Sequence, residues 1–122
     1  MPHVVIEYSR GAGERVPIEA LTTAVHRCIR DGGVVKPKAV RTFAREATFS
    51  CVADEHPQNH FIQIIIRMAP GRSLETKQQL VRATLQAARV AAAPALSEGR
   101  LGLRVDLYES DPALAVQEST LD

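Results

Sequence analysis

Phe61-Ile62-Gln63-Ile64-Ile65-Ile66-Arg67-Met68, with Pro70-Gly71-Arg72-Ser73-Leu74-Glu75 close behind, is the stretch on which the fold turns. Its first eight residues are almost continuously apolar and rich in isoleucine, the pattern of a strand buried on both faces. Pro70-Gly71 ends that strand sharply. Ser73 is a good N-cap, because its hydroxyl can accept from an unpaired N–H of the next helical turn. The helix that follows carries Leu74, Val81, Leu85, Ala88 and Ala92 on one stripe. Lys77, Gln78, Arg82, Gln86 and Arg89 form its solvated side. Its alanine-rich end is expected to stop near Pro94. Leu101, Leu103, Val105 and Leu107 then alternate with Gly102, Arg104, Asp106 and Tyr108, which reads as a half-buried strand.

The same unit stands upstream. Pro2 to Ser9 reads as a strand on the β-propensity of Val4, Val5, Ile6 and Tyr8, and Arg10-Gly11-Ala12-Gly13 breaks it. Pro17 suits the first turn of a helix in which Ile18, Leu21, Val25 and Cys28 recur at spacings of three and four. Asp31-Gly32-Gly33 ends that helix, and Lys36-Pro37-Lys38 is a short connector. Val40 to Val52 is the second strand region, with Phe43, Ala47, Phe49 and Cys51 as candidates for its apolar face. Asp54 to His60 is a polar loop.

The expected fold class is therefore α+β. One domain spans residues 1–122, built from β-α-β units at about 2–52 and 61–109 with a C-terminal arm at about 111–122. Each strand–helix–strand crossover should be right-handed. The simplest assembly is a two-layer sandwich: a four-stranded mixed sheet with both helices on one face. The apolar character of Phe61–Met68 on both sides leaves the opposite face in need of cover, which argues for an oligomer.

Composition narrows the function classes. A net charge of +1 with scattered basic residues gives no general attraction to nucleic acid or a membrane surface. Aromatics at 4%, with no Trp, argue against a base-stacking surface. No apolar run reaches the length of a membrane span and no signal-peptide pattern opens the chain, so a cytoplasmic protein is expected. Cys28 and Cys51 fit small buried thiols, although a disulfide between them stays open. His56 and His60 are four apart, but Pro57 lies between them and no carboxylate pattern completes a site; no metal is expected. Gly11-Ala12-Gly13 is too short for a dinucleotide fingerprint. His26 is expected to face solvent.

Pro2 admits two readings. Proline lacks an N–H and is comfortable at the first residue of a strand. Alternatively, removal of Met1 leaves Pro2 as a free secondary amine, a fixed nucleophilic base that no side chain can supply.

A resemblance bears on that choice. Phe61-Ile62-Gln63-Ile64-Ile65-Ile66, with Gly71-Arg72-Ser73-Leu74-Glu75-Thr76-Lys77-Gln78-Gln79-Leu80, resembles the opening strand and helix of the tautomerase superfamily. Short members begin that pattern with a catalytic N-terminal proline. Leu103-Arg104-Val105 and Val40-Arg41-Thr42 resemble the apolar–Arg entry to the superfamily's second strand. The chain is thus similar to a fused, two-unit tautomerase in which only the first unit keeps the proline. Among long members it is most similar to the 5-carboxymethyl-2-hydroxymuconate Δ-isomerases, through Met1-Pro2-His3, Arg41 and Gly71-Arg72-Ser73-Leu74-Glu75.

The resemblance implies a cofactor-free proton shift in a 2-hydroxymuconate-type di- or tricarboxylate from aromatic-ring degradation, carried out by a homotrimer. It implies Pro2 as the general base, and Arg41 and Arg72 as groups that bind the substrate or polarise it. The chemistry is coherent. A free α-amine titrates at about 7.7–8.0 in model peptides, and apolar surroundings and nearby cations both disfavour its protonated form. A guanidinium matches a carboxylate with two parallel hydrogen bonds. Arg72 at a helix start opposes the helix dipole, which favours a ligand-facing role, while turn arginines are commonly just solvated. Two other readings stand beside this one: a non-catalytic oligomeric binding protein for small carboxylates, and a superfamily hydratase or dehalogenase that uses the same proline.

Overall fold

A computed structural model describes residues 2–121. Its main elements are β1 (His3–Tyr8), α1 (Ile18–Asp31), β2 (Arg41–Glu46), β3 (His60–Met68), α2 (Leu74–Ala91), α3 (Ala93–Glu98) and β4 (Leu101–Glu109). The sheet order is β2-β1-β3-β4. β1 pairs parallel with β2, β3 pairs parallel with β4, and the central pair β1–β3 is antiparallel. Each β-α-β unit thus supplies one parallel pair, and the two units meet head to tail at β1–β3. Four strands in a mixed sheet with the helices on one side is the architecture expected from the sequence.

Period-2 patterning builds the core. Val4, Ile6, Ile62, Ile64, Ile66 and Met68 all point to the helical side and are fully buried. Leu103, Val105 and Leu107 extend the same face on β4. α1 covers it with Leu21, Val25 and Ile29, and α2 with Leu80, Thr84 and Ala88. Each large aliphatic side chain buried this way contributes roughly 1.5–3 kcal/mol. The Thr84 hydroxyl on the buried side of α2 is satisfied locally: Oγ1 donates to the Leu80 carbonyl at 2.8 Å. Ser73 caps α2 as expected, its Oγ accepting from the Thr76 N–H at 3.1 Å.

Four local expectations change. α2 stops at Ala91, near Pro94 as expected, but a second short helix follows at once, because that proline occupies the first turn of α3, where a missing N–H leaves no bond unmade. β2 ends at Glu46, and its inward positions are Thr42 and Ala44, the partners of Val4 and Ile6. Phe43 therefore faces away from the helices, and Phe49 and Cys51 lie exposed beyond the strand. β3 is buried on its helical side only. On the open side Phe61, Gln63 and Ile65 are half-buried within one chain. Polar groups share that side, with Gln63 Nε2 donating to Glu7 at 3.1 Å and Arg45 paired with Glu7 at 2.9 Å. Finally, His26 is not solvated but lies 2.8 Å from Thr42 Oγ1 through its Nδ1.

Cys28 and Cys51 are unpaired. Among the described residues no helix is long and apolar enough to cross a membrane.

Candidate functional site

The head-to-tail meeting of the two units gives the sheet two chemically different ends. One end gathers the start of β1, the connector before β2 and the turn after β3. Pro2 sits there, buried, immediately before β1. Its carbonyl accepts from the Arg41 N–H at 3.1 Å, which seats Arg41 on the adjacent strand opposite His3. Met1, whose removal would free the Pro2 amine, lies outside the described residues.

The Arg41 guanidinium is fixed by neutral acceptors. Nη1 donates to the Lys38 carbonyl at 2.8 Å and to the Val40 carbonyl at 3.4 Å, while Nη2 donates to Ser119 Oγ at 3.3 Å. The last contact shows where the C-terminal arm goes. It leaves β4, passes His3 and Arg67, and reaches the β2 connector, so that it crosses all four strands at this end.

Arg72 enters the same end from the β3–α2 turn, where Gly71 holds a φ of 123° that a side chain would resist. Its Nε and Nη2 donate to the Val34 carbonyl at 3.3 and 3.2 Å, and Nη1 donates to the Ala69 carbonyl at 3.3 Å. The guanidinium is half-buried and already holds backbone from both units. Pro2, Arg41 and Arg72 thus share one end of the sheet, with Arg41 next to Pro2 and Arg72 bound into the surrounding backbone.

Two clefts flank the group. One, of about 370 Å³, is lined by Lys36, Lys38, Arg41, Gln117 and Ser119. The other, of about 450 Å³, is lined by His3, Arg67, Ala69, Ser110, Val116 and Gln117. Pro2 lines neither within a single chain. The flanking groups are cationic: Lys36, Lys38, Arg41 and Arg67, with Arg72 behind. A separate groove of about 530 Å³ between α2 and β4 contains none of these residues.

The opposite end holds what the sequence reading missed. Arg15 is half-buried there, and Nη1 reaches the Gln58 carbonyl at 3.1 Å, the Arg100 carbonyl at 3.4 Å and His60 Nδ1 at 3.2 Å. Nη2 donates to the carbonyls of Ala95, at 3.2 Å, and Gly99. Burial, and after it the Arg15 charge, push the His60 imidazole below its ordinary pKa. Among the described residues no cluster of three or more His, Cys, Asp or Glu is placed to hold a metal ion. Nothing in the sequence signals Arg15, because its acceptors are mostly main-chain carbonyls 43 to 85 residues away.

With the geometry in view, comparisons with known proteins are informative. A family model described as 5-carboxymethyl-2-hydroxymuconate isomerase matches residues 2–122. No curated protein matches the sequence. A solved 5-carboxymethyl-2-hydroxymuconate delta-isomerase superposes with a TM-score of 0.88 at 25% identity, covering 99% of this chain and 90% of that one. A second isomerase of that name, from Deinococcus radiodurans R1, gives 0.85 at 20% identity, covering 98% and 90%. A fused 4-OT, described as a symmetric trimer, gives 0.68 at 17% identity, covering 88% and 85%.

Proposed function

The chain belongs to the 5-carboxymethyl-2-hydroxymuconate isomerase family, and from that premise we propose that it moves a proton within a 2-hydroxymuconate-type di- or tricarboxylate, with Pro2 as the general base. The family makes it an isomerase of the tautomerase superfamily. The observation that carries the finer reading is the cationic end of the sheet around Pro2, which pairs a candidate base with carboxylate-binding groups.

In this mechanism Met1 is removed and the Pro2 nitrogen is a secondary amine. Burial and the surrounding cations disfavour its ammonium form, so the amine is neutral and takes a proton from the hydroxyl of the dienol, or from the carbon next to the carbonyl in the keto form. The electron pair of the broken O–H or C–H bond is left as the same dienolate, with its negative charge on the oxygen. A positive field from the arginines stabilises the charge that develops there. The ammonium then returns its proton to a different carbon of the conjugated system, giving the shifted double bond with no cofactor consumed. Arg41 has the freer role, since its acceptors are two carbonyls and one hydroxyl at the cleft wall. Arg72, bound to Val34 and Ala69, contributes chiefly charge and position. A cytoplasmic setting with reduced thiols belongs to the same reading.

We assign the working form as a homotrimer. The open sheet face presents Val5, Phe43, Phe61 and Ile65 among polar groups, and fused 4-OT relatives with this fold are described as trimers. A partner closing over that face would also complete the walls around Pro2, which one chain leaves outside both clefts.

The test is an intact mass with turnover measured on the same sample. Loss of one methionine, together with isomerisation of 5-carboxymethyl-2-hydroxymuconate followed by ultraviolet absorbance, is the expected result. Turnover by protein that retains Met1 would remove Pro2 from the mechanism.

A further inference from the structure

The connector before β2 does more than join elements. Lys36-Pro37-Lys38 forms a 3-10 turn over Pro37–Ala39, with the Pro37 ring holding the backbone between the two lysines. The Lys38 carbonyl accepts from Arg41 Nη1, so the turn and the guanidinium are locked together. Lys36, Lys38 and Arg41 line one cleft of about 370 Å³, and the C-terminal arm closes its far side with Gln117 and Ser119.

Charge is the telling feature. The ion pairs of the described residues join Arg15, Arg30, Arg45, Lys77 and Arg104 to carboxylates, and none involves Lys36, Lys38 or Arg41. Arg41 spends Nη1 and Nη2 on uncharged acceptors. Three cations therefore face a small volume with no carboxylate among the residues that line it. Gln117 and Ser119 add neutral hydrogen-bonding groups. Such a concave site favours an anion, and a carboxylate suits it because it accepts several hydrogen bonds at once.

The geometry points to an anion subsite, formed by Lys36 and Lys38 beside Arg41 and roofed by the C-terminal arm, that takes a further carboxylate of a polycarboxylate ligand. The identification of that ligand with the substrate rests on the isomerase reading; the binding itself does not. The two lysines act as specificity residues. They favour ligands with one carboxylate more than Arg41 can hold, and they take no part in proton transfer.

The experiment is isothermal titration of the full chain with propane-1,2,3-tricarboxylate, acetate and inorganic phosphate. Lys36→Gln/Lys38→Gln removes both charges at exposed positions where the fold is not at stake. Its tricarboxylate Kd is expected to rise about tenfold or more, the scale of losing charged hydrogen bonds. Lys36→Arg/Lys38→Arg should restore it. In turnover assays the Gln pair should raise KM for 5-carboxymethyl-2-hydroxymuconate and leave kcat unchanged. Wild-type protein that binds no tricarboxylate, or a Kd that the Gln pair leaves unchanged, overturns the subsite. Phosphate bound as tightly as the tricarboxylate, and lost equally in the Gln pair, overturns its assignment to carboxylates. Protein that binds the tricarboxylate through these lysines yet turns over no muconate substrate would contradict the isomerase reading while the subsite stands.

Discussion

The two ends of the sheet are built on the same plan and finished differently. At each end, an arginine from the strand–helix turn of one unit donates to main-chain carbonyls of the helix–strand connector of the other. Arg72 of the second unit reaches Val34 of the first, and Arg15 of the first reaches Gly99 and Arg100 of the second. The finish is set by the strand start. At one end it is Pro2, with cations lining clefts on either side. At the other it is His60, whose N–H donates to the Arg100 carbonyl at 2.9 Å and whose ring lies against Arg15. There Asn59 ties the loop to Val52 and Asp54, and Arg100 donates to Asn59 at 3.1 Å. The backbone at this closed end even holds three non-glycine residues, Ala53, Glu55 and Arg100, at positive φ. A cost of about 1–2 kcal/mol for each is tolerated only where the surroundings fix the chain. One end is cross-braced by Arg15, with a cleft of about 450 Å³ beside it lined by Arg10, Glu14, Ser50, His56 and His60, and the other sets Pro2 between two cationic clefts.

The sharpest way to break this comparison is Arg15→Ala. It takes the Arg15 donors from four carbonyls, of which those of Ala95 and Arg100 keep a backbone N–H donor, and a loss of about 3 kcal/mol in urea unfolding is expected, with kcat/KM of the folded protein unchanged. Equal damage to catalysis would mean the closed end also takes part in the reaction. Next in size is Arg72→Ala, with an expected loss of about 1–2 kcal/mol from its bonds to Val34 and Ala69. Unlike Arg15→Ala it should also lower kcat/KM, since its charge lies at the Pro2 end of the sheet. A purely structural Arg72 would show only the first effect.

Ile65→Asp probes the open sheet face. A carboxylate at the centre of the face proposed to pair with its copies should convert the proposed trimer to monomer by sedimentation velocity, while circular dichroism stays native. A trimer that survives would place the interface elsewhere. The smallest effect is a pH dependence. The folded His60 pKa lies below its unfolded value near 6.5, so its neutral form is the one the fold favours. Its stabilising contribution is complete above about pH 6.5 and is lost as pH falls through the folded pKa. His60→Gln should flatten the fall in thermal stability over that range relative to wild type.

Much of this was legible in the chain. Ser73, Pro70-Gly71 and the alternation from Leu101 to Tyr108 are local signals, and they mark elements where the structure has them. Where reading failed, the cause is non-local. β2 carries its large side chain, Phe43, on the face away from the helices, and only Thr42 and Ala44 inward. A rule that sends the biggest apolar residue to the core therefore assigns the face backwards. Pro94 does mark the end of α2, but the short helix it opens went unread, because a proline that follows one helix and one that begins the next look alike in sequence. At the site, Pro2, Arg41 and Arg72 stood out through a resemblance. Lys36, Lys38 and the path of the arm to Ser119 came only from the folded chain. Arg15 has no pattern at all, since a guanidinium bound to distant carbonyls leaves no trace in residue spacing.

The most direct test of the account compares processed protein, with Pro2 at the N-terminus, to a variant with one alanine inserted before Pro2. The insertion turns the amine into an amide and changes nothing else in the fold. The account predicts that kcat for 5-carboxymethyl-2-hydroxymuconate drops about 10²–10⁴-fold, the range expected for loss of a positioned base, while the urea midpoint holds. Undiminished turnover by the inserted form would contradict it.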